Sequence, residues 1–166
     1  MISIPVEHPD VEKFITIKGN CDRITNANIS IRVSNEFMEA VKKDGDFNLE
    51  FDGTVYKTVK AKELFHKICE NNWNYAEPGL LFWDTIKNGN LLHKDPRFSY
   101  AGVNPCAEEP LPAGGSCLLG SLNLDAFVNK EKKEFDYDSF CHAVATAIKG
   151  LNEVLDEGLP LHPLKE

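Results

Sequence analysis

Asn104-Pro105-Cys106-Ala107-Glu108-Glu109-Pro110-Leu111-Pro112 runs on through Ala113-Gly114-Gly115-Ser116-Cys117 to Leu118-Leu119-Gly120-Ser121-Leu122-Asn123-Leu124. Its first part sets an amide, a thiol and a carboxylate at alternate positions, Asn104, Cys106 and Glu108. In an extended segment alternate residues share one face, about 7 Å apart at each step. Such a face offers a hydrogen-bonding group, a redox-capable sulfur and a proton acceptor together. A second thiol, Cys117, follows a turn-rich link. The residues by themselves also admit a plainer reading, a proline-rich loop with two packed cysteines, because free Cys is among the most buried residue types.

The chain around this stretch has 166 residues, 42% of them hydrophobic and 27% charged, which is ordinary for one globular domain with a real core. A net charge of −8 argues against broad binding to DNA, RNA or an anionic membrane. No apolar run reaches the roughly 18 residues of a membrane span. The start, Met1-Ile2-Ser3-Ile4-Pro5, shows no basic segment ahead of an apolar one, so no signal peptide is expected. Five cysteines without Cys-x-x-Cys spacing suit a reducing, cytoplasmic setting better than a disulfide framework. The same spacing offers no metal-ligand pattern, and the five histidines are scattered.

Hydrophobic periodicity places the elements. Pro9 to Ile17 reads as a short helix, followed by a polar loop from Lys18 to Asn26. Ile29, Ile31 and Val33 alternate with polar residues as a strand. Ser34 caps a helix over Asn35 to Lys43. Phe47 to Phe51 and Thr54 to Val59 flank Asp52-Gly53, which predicts a hairpin standing off the main body. Ala61 to Trp73 is a helix with Leu64, Phe65, Ile68 and Cys69 inward. Glu77-Pro78-Gly79 breaks the chain before the apolar run Leu80 to Trp83, and Asp84 is expected to cap a brief helix. The strongest helix is the last, Phe140 to Leu155, capped by Asp136 or Asp138, with Cys141 and His142 packed near its start. The whole is a mixed α/β pattern, read as one domain over 1–166 without a separate second domain.

The Asn104 stretch resembles the large, catalytic subunit of ribonucleotide reductases. Asn-Pro-Cys-x-Glu, Pro-Leu-Pro, a second Cys and Gly-Ser-x-Asn-Leu are closest to the adenosylcobalamin-dependent, class II branch. His8-Pro9-Asp10-Val11, Asn26-Ala27-Asn28-Ile29-Ser30, Glu36 to Val41, and Glu77-Pro78-Gly79 with Asp84-Thr85-Ile86 agree in order, so the resemblance covers essentially the whole chain. It implies a partial slice of a ten-stranded α/β barrel. The upstream redox cysteine and the downstream phosphate loop of the family lie outside that slice.

The resemblance further implies an oxidoreductase that converts a ribonucleoside di- or triphosphate into the 2′-deoxyribonucleotide. It assigns Cys106 as the thiyl radical, Glu108 as the general base, Asn104 as the amide that holds the ribose, and Cys117 as one cysteine of the redox pair. It puts an effector-sensing loop at Gly19, Asn20, Asp22 and Arg23. The implied cofactor is adenosylcobalamin, with a radical from a metal-containing partner subunit as the alternative. The implied partners are a nucleotide effector, a dithiol reductant such as thioredoxin, and complementary reductase fragments or a second copy. Two other readings stand beside it: a non-catalytic module that docks on a full-length reductase, and a thiol–disulfide protein using Cys106 and Cys117.

Overall fold

Ile29, Ile31 and Val33 form the centre of the structure. In the computed structural model, which describes residues 1–19 and 24–158, they lie on strand β2, Ile29–Val33, and all three are buried. β2 pairs in parallel with β1, Ile2–Pro5, on one side and with β5, Gly79–Phe82, on the other. The resulting order is β1-β2-β5. A central parallel strand is covered on both faces. Its first face packs on helices, and residues on β2's second face include Ser30, buried, and Arg32, half-buried.

The helices follow from the caps and stripes of the sequence. α1, Val11–Ile15, is shorter than Pro9 to Ile17 and continues into a 3-10 turn over Ile17–Gly19. α2, Asn35–Lys42, starts where Ser34 Oγ accepts the Phe37 N–H at 3.3 Å. α3, Ala61–Tyr75, turns Leu64 and Ile68 inward. Together with Val6, Val11, Ile15, Ile31, Val33 and Phe37 they make one core. Phe37 and Phe47 meet edge to face, with ring centroids 5.0 Å apart.

The hairpin forms as expected, with β3, Asp46–Phe51, antiparallel to β4, Thr54–Lys60. Asp52 and Gly53 have φ of 50° and 73°, the positive pair that a tight two-residue turn requires. The hairpin does not stand off the body as expected: Phe47 and Leu49 on β3 enter the core, and the Glu50 N–H donates to the Glu7 carbonyl at 2.6 Å, because alternate β3 residues are apolar and face inward.

Other expectations change as well. β1 was not expected, because its Ile-Ser-Ile-Pro run is too short to stand out from the sequence alone. Cys69 is exposed, not inward, because the turn of α3 that carries it faces away from the core built by Leu64 and Ile68. Asp84 does not cap its own helix α4, Trp83–Asn88, whose N-cap is Phe82. Its carboxylate accepts the Asn35 N–H of α2 at 2.8 Å and pairs with Lys87. The Lys87 ammonium and that backbone N–H hold the carboxyl below its ordinary range.

The described chain divides into two units, Met1–Ala113 and Gly114–Glu166. The second begins with irregular chain, then a 3-10 turn over Leu124–Phe127 and the small hairpin of β8, Val128–Asn129, and β9, Glu134–Phe135. It ends in α5, Tyr137–Glu157. Asp136 is its cap, accepting the Ser139 N–H at 3.0 Å. Phe127, Phe135 and Phe140 cluster at its start, with centroids 5.4 to 6.1 Å apart. Cys141 and His142 are exposed there, not packed, because that aromatic cluster leaves their side of the helix uncovered. No described residue of α5 is buried. Among the described residues no helix is long and apolar enough to cross a membrane.

Candidate active site

The chain reaches Asn104 through an ordered approach. Asn90, 7% exposed, donates from Nδ2 to the Phe98 carbonyl at 2.9 Å and accepts the Leu92 N–H on Oδ1 at 2.9 Å. This knot delivers β6, Tyr100–Val103, which pairs antiparallel with β7, Pro110–Pro112. Strand geometry stops at Val103, so the single face expected for Asn104, Cys106 and Glu108 does not form. The three residues instead occupy the loop of a hairpin. Pro105 and Pro110 each lack a donor for continued pairing. The Asn104 N–H bonds the Glu109 carbonyl at 3.1 Å, and the Ala107 N–H bonds the Asn104 carbonyl at 3.0 Å. The Asn104 side chain closes the loop, its Oδ1 accepting the Glu109 N–H at 3.0 Å. Ala107 has a φ of 68°, a left-handed turn placed between Cys106 and Glu108.

Cys106 and Glu108 are both exposed, and Asn104 is half-buried. The tip Pro105-Cys106-Ala107 borders a recess of about 180 Å³ whose other walls are Met1, Asn28, Ile29, Ser30, Ala76, Glu77, Gly79, Leu80 and Leu81. The thiol therefore stands beside the starts of β2 and β5. Ser30 pairs with Gly79 and Arg32 with Leu81. Parallel partners point to the same side, so these four share the face that turns away from the core residues Ile31 and Val33. On that face the Arg32 guanidinium lies 5.1 Å from the Trp83 ring centroid. Its buried Nε has no hydrogen-bond partner among the described residues.

Glu77 holds the recess together. Its Oε1 accepts the Ile29 N–H at 2.9 Å, and its Oε2 pairs with Lys18 Nζ at 2.7 Å. Lys18 Nζ also donates to the Ala27 carbonyl at 2.8 Å. One carboxylate thus ties the end of the first helical segment to the start of β2 and to the turn before β5. A second recess, about 260 Å³, lies between Lys18, Thr25, Asn26, Ala27, Asn28 and Glu77 and shares Asn28 and Glu77 with the first. The sequence marks Glu77-Pro78-Gly79 as a break and as part of the family resemblance, and assigns Glu77 itself no role. The signal for more was an acid beside a Pro-Gly corner ahead of an apolar strand.

Cys117 is half-buried and belongs to the second unit, where it is a free thiol. Of the effector loop, Gly19 ends the 3-10 turn, while Asn20, Asp22 and Arg23, with Cys21, lie outside the described residues. Larger hollows exist, but their chemistry differs. A groove of about 370 Å³ is lined by Glu12, Lys57, Lys60 and Glu63, and its Lys57 is already paired with Glu12. Another, of about 340 Å³, is an apolar hollow beside Trp73 and Cys69. Among the described residues no group of three or more His, Cys, Asp or Glu could hold a metal ion.

Comparison with known proteins bears on this geometry. The family model described as "Ribonucleotide reductase, barrel domain" matches residues 1–165. A vitamin B12-dependent ribonucleoside-diphosphate reductase of Thermoplasma acidophilum is 34% identical over 163 residues, covering 96% of this chain and 21% of that protein. A vitamin B12-dependent ribonucleotide reductase of Streptomyces avermitilis is 33% identical over 180 residues, covering 92% and 18%. A vitamin B12-dependent ribonucleoside-diphosphate reductase of Mycobacterium tuberculosis is 32% identical over 159 residues, covering 94% and 22%. The chain spans about a fifth of the length of these relatives.

Proposed function

This chain belongs to the ribonucleotide reductase barrel-domain family, and on that premise we propose that it is one segment of a single catalytic barrel that reduces ribonucleotides. The observation that carries the proposal is the Asn104–Glu109 loop, which presents Cys106 to a polar recess on the sheet. The substrate is a ribonucleoside di- or triphosphate, and the product is its 2′-deoxy form.

Within that reaction Cys106 takes the hydrogen atom from C3′ of the ribose as a thiyl radical. Glu108, two residues along the same loop, accepts the proton of the 3′-hydroxyl as water leaves C2′. Asn104 spends its Oδ1 on closing the loop, so its Nδ2 is the part that can reach the sugar. Cys117 supplies reducing equivalents with a cysteine from another part of the reductase, and a thioredoxin-like dithiol restores it. A nucleotide effector acts through the loop that begins at Gly19.

The relatives' names point to vitamin B12. Adenosylcobalamin, when bound, supplies the radical that removes the hydrogen atom from the Cys106 thiol. What this chain must offer such a cofactor is an accessible thiol, and Cys106 is exposed. The setting proposed is cytoplasmic, with complementary reductase segments or a second copy completing the barrel.

The test is turnover. Incubate the chain with ribonucleotide, adenosylcobalamin and a dithiol, alone and with polypeptides that carry the rest of the barrel, and measure deoxynucleotide. The expected result is product in the complemented mixture, and loss of at least about a thousandfold in rate for Cys106→Ala and for Glu108→Ala, as for groups acting on the reacting atoms. No product under any combination would end the proposal. A second reading, a non-catalytic module that docks on a full-length reductase, is favoured by the absence of any buried residue in the described part of the second unit. It predicts stable association with a complete reductase and no effect of Cys106→Ala on that reductase's rate.

A further inference from the structure

Ser30 is 4% exposed and sits at the centre of the three-stranded sheet, in the wall of the recess that Cys106 borders. Its side chain lies on the face opposite the core residue Ile31. The hydroxyl has no hydrogen-bond partner among the described residues and is open to the recess rather than sealed inside the protein. Across the recess wall, β5 presents Gly79 as its register partner. A Cβ on Gly79 would lie 2.8 Å from Ser30 Oγ, so the glycine clears the space in which the hydroxyl stands.

The rest of the wall shows what that hydroxyl is suited to. Glu77 has committed both carboxylate oxygens, one to the Ile29 N–H and one to Lys18. The Lys18 ammonium thus offsets the charge of the one acid in the wall. Asn104 has committed its Oδ1 to its own loop. Ser30 adds a neutral hydroxyl, able to donate and accept, to the recess that Cys106 borders. At about 180 Å³ the recess is smaller than the roughly 300 Å³ at which pockets for whole ligands begin. It has the size and polarity for a sugar ring, with the base and phosphates outside it.

We infer that Ser30 is a substrate-binding residue whose hydroxyl hydrogen-bonds one ribose hydroxyl of the nucleotide held against Cys106. The inference rests on reading this recess as the reductase site. It adds a contact from the barrel sheet itself, on the wall facing the loop that bears Cys106, and it gives Gly79 a reason to lack a side chain.

The experiment is a binding cycle that pairs a protein change with a ligand change. The affinities of uridine 5′-diphosphate and of its 2′-deoxy and 3′-deoxy forms are measured by calorimetry for the full chain and for Ser30→Ala. The unaltered chain should prefer the ribonucleotide over one of the deoxy forms by about 2- to 10-fold, the range of one neutral hydrogen bond. Ser30→Ala should erase that preference and leave affinity for that deoxy form unchanged. Gly79→Ala, which pushes a methyl into the hydroxyl, should erase it too, with amide NMR spectra reporting that both variants remain folded. A merely structural Ser30 would weaken all three ligands alike. That result, a preference that survives Ser30→Ala, or no binding of any of the three overturns the inference. Failure of the wider reading looks different. Coupling in a chain that never yields deoxynucleotide keeps the Ser30 contact and removes the reductase reaction, whereas an active mixture without coupling does the reverse.

Discussion

The two units of this chain carry similar apolar sequence and reach different ends. Met1–Ala113 buries Val6, Val11, Ile15, Ile31, Val33, Phe37, Leu49 and Ile68 to less than 2% exposure. In Gly114–Glu166, α5 has an apolar stripe over 21 residues, yet Ile148, Val154 and Leu155 remain 55 to 59% exposed. The difference lies in layers. The first unit has a sheet with helices on one face, so each stripe meets another apolar surface. The second has one helix, a two-residue-per-strand hairpin and an aromatic cluster, which is too little surface to cover the helix. An amphipathic stripe states what a helix needs and does not supply it.

The largest expected effect separates the two units directly. Phe37→Ala should cost about 3–5 kcal/mol, because it empties a fully buried site against Phe47. Ile148→Ala should change stability by no more than about 0.5 kcal/mol, as for other surface positions. Urea denaturation of the two variants measures both. A cost above 2 kcal/mol for Ile148→Ala would show that α5 is covered after all.

A middle-sized effect is expected where the first unit meets its recess. Glu77→Leu removes the acceptor of the Ile29 N–H and one of the partners of Lys18, the Glu77 and Lys18 side chains being 20% and 14% exposed. Leaving such groups unsatisfied costs about 1–3 kcal/mol. Hydrogen exchange should show the Ile29 amide losing protection first, while the amides of α5 are unchanged. Equal loss in α5 would show that Glu77 does not act locally on the recess.

The smallest effect belongs to the second unit and depends on pH. The Ser139 N–H, and then its hydroxyl, hold the Asp136 carboxyl below the ordinary aspartate range. A carboxyl lowered in the folded state favours folding at pH above its unfolded value, and that contribution is lost as pH falls through the lowered folded value. The helical signal of α5 should therefore fray on acidification below about pH 4. Asp136→Asn should flatten this dependence, because an amide still caps but does not titrate. A titration curve identical to that of the unaltered chain would remove Asp136 from this role.

Much of the fold was legible because it is local. The alternation in Ile29-Ser30-Ile31-Arg32-Val33, the Ser34 cap, the Asp52-Gly53 turn and the Asp136 cap each depend on residues within a few positions, and each appears where the residues put it. The family motif was legible for the same reason, since Asn104, Cys106 and Glu108 are neighbours in sequence. Their geometry was not. Spacing alone implied one strand face, but Pro105, the positive φ of Ala107 and the Asn104 amide bonded to the Glu109 N–H fold them into a loop. Asp84 shows the same limit, an acid placed correctly for a cap that in fact serves the helix carrying Asn35.

By itself, then, the sequence determined the helices, the central strand, the hairpin and the family, because short-range backbone preference and apolar period are written in adjacent residues. Only the tertiary structure decided that Cys106 borders one recess with Ser30 and Gly79, that Glu77 reaches Lys18, and that α5 lies open. Glu77 and Lys18 are far apart in the chain, as are Cys106 and Ser30. What brings them together is the packing of the first helical segment and the β6–β7 loop around the starts of β2 and β5, which no local pattern encodes.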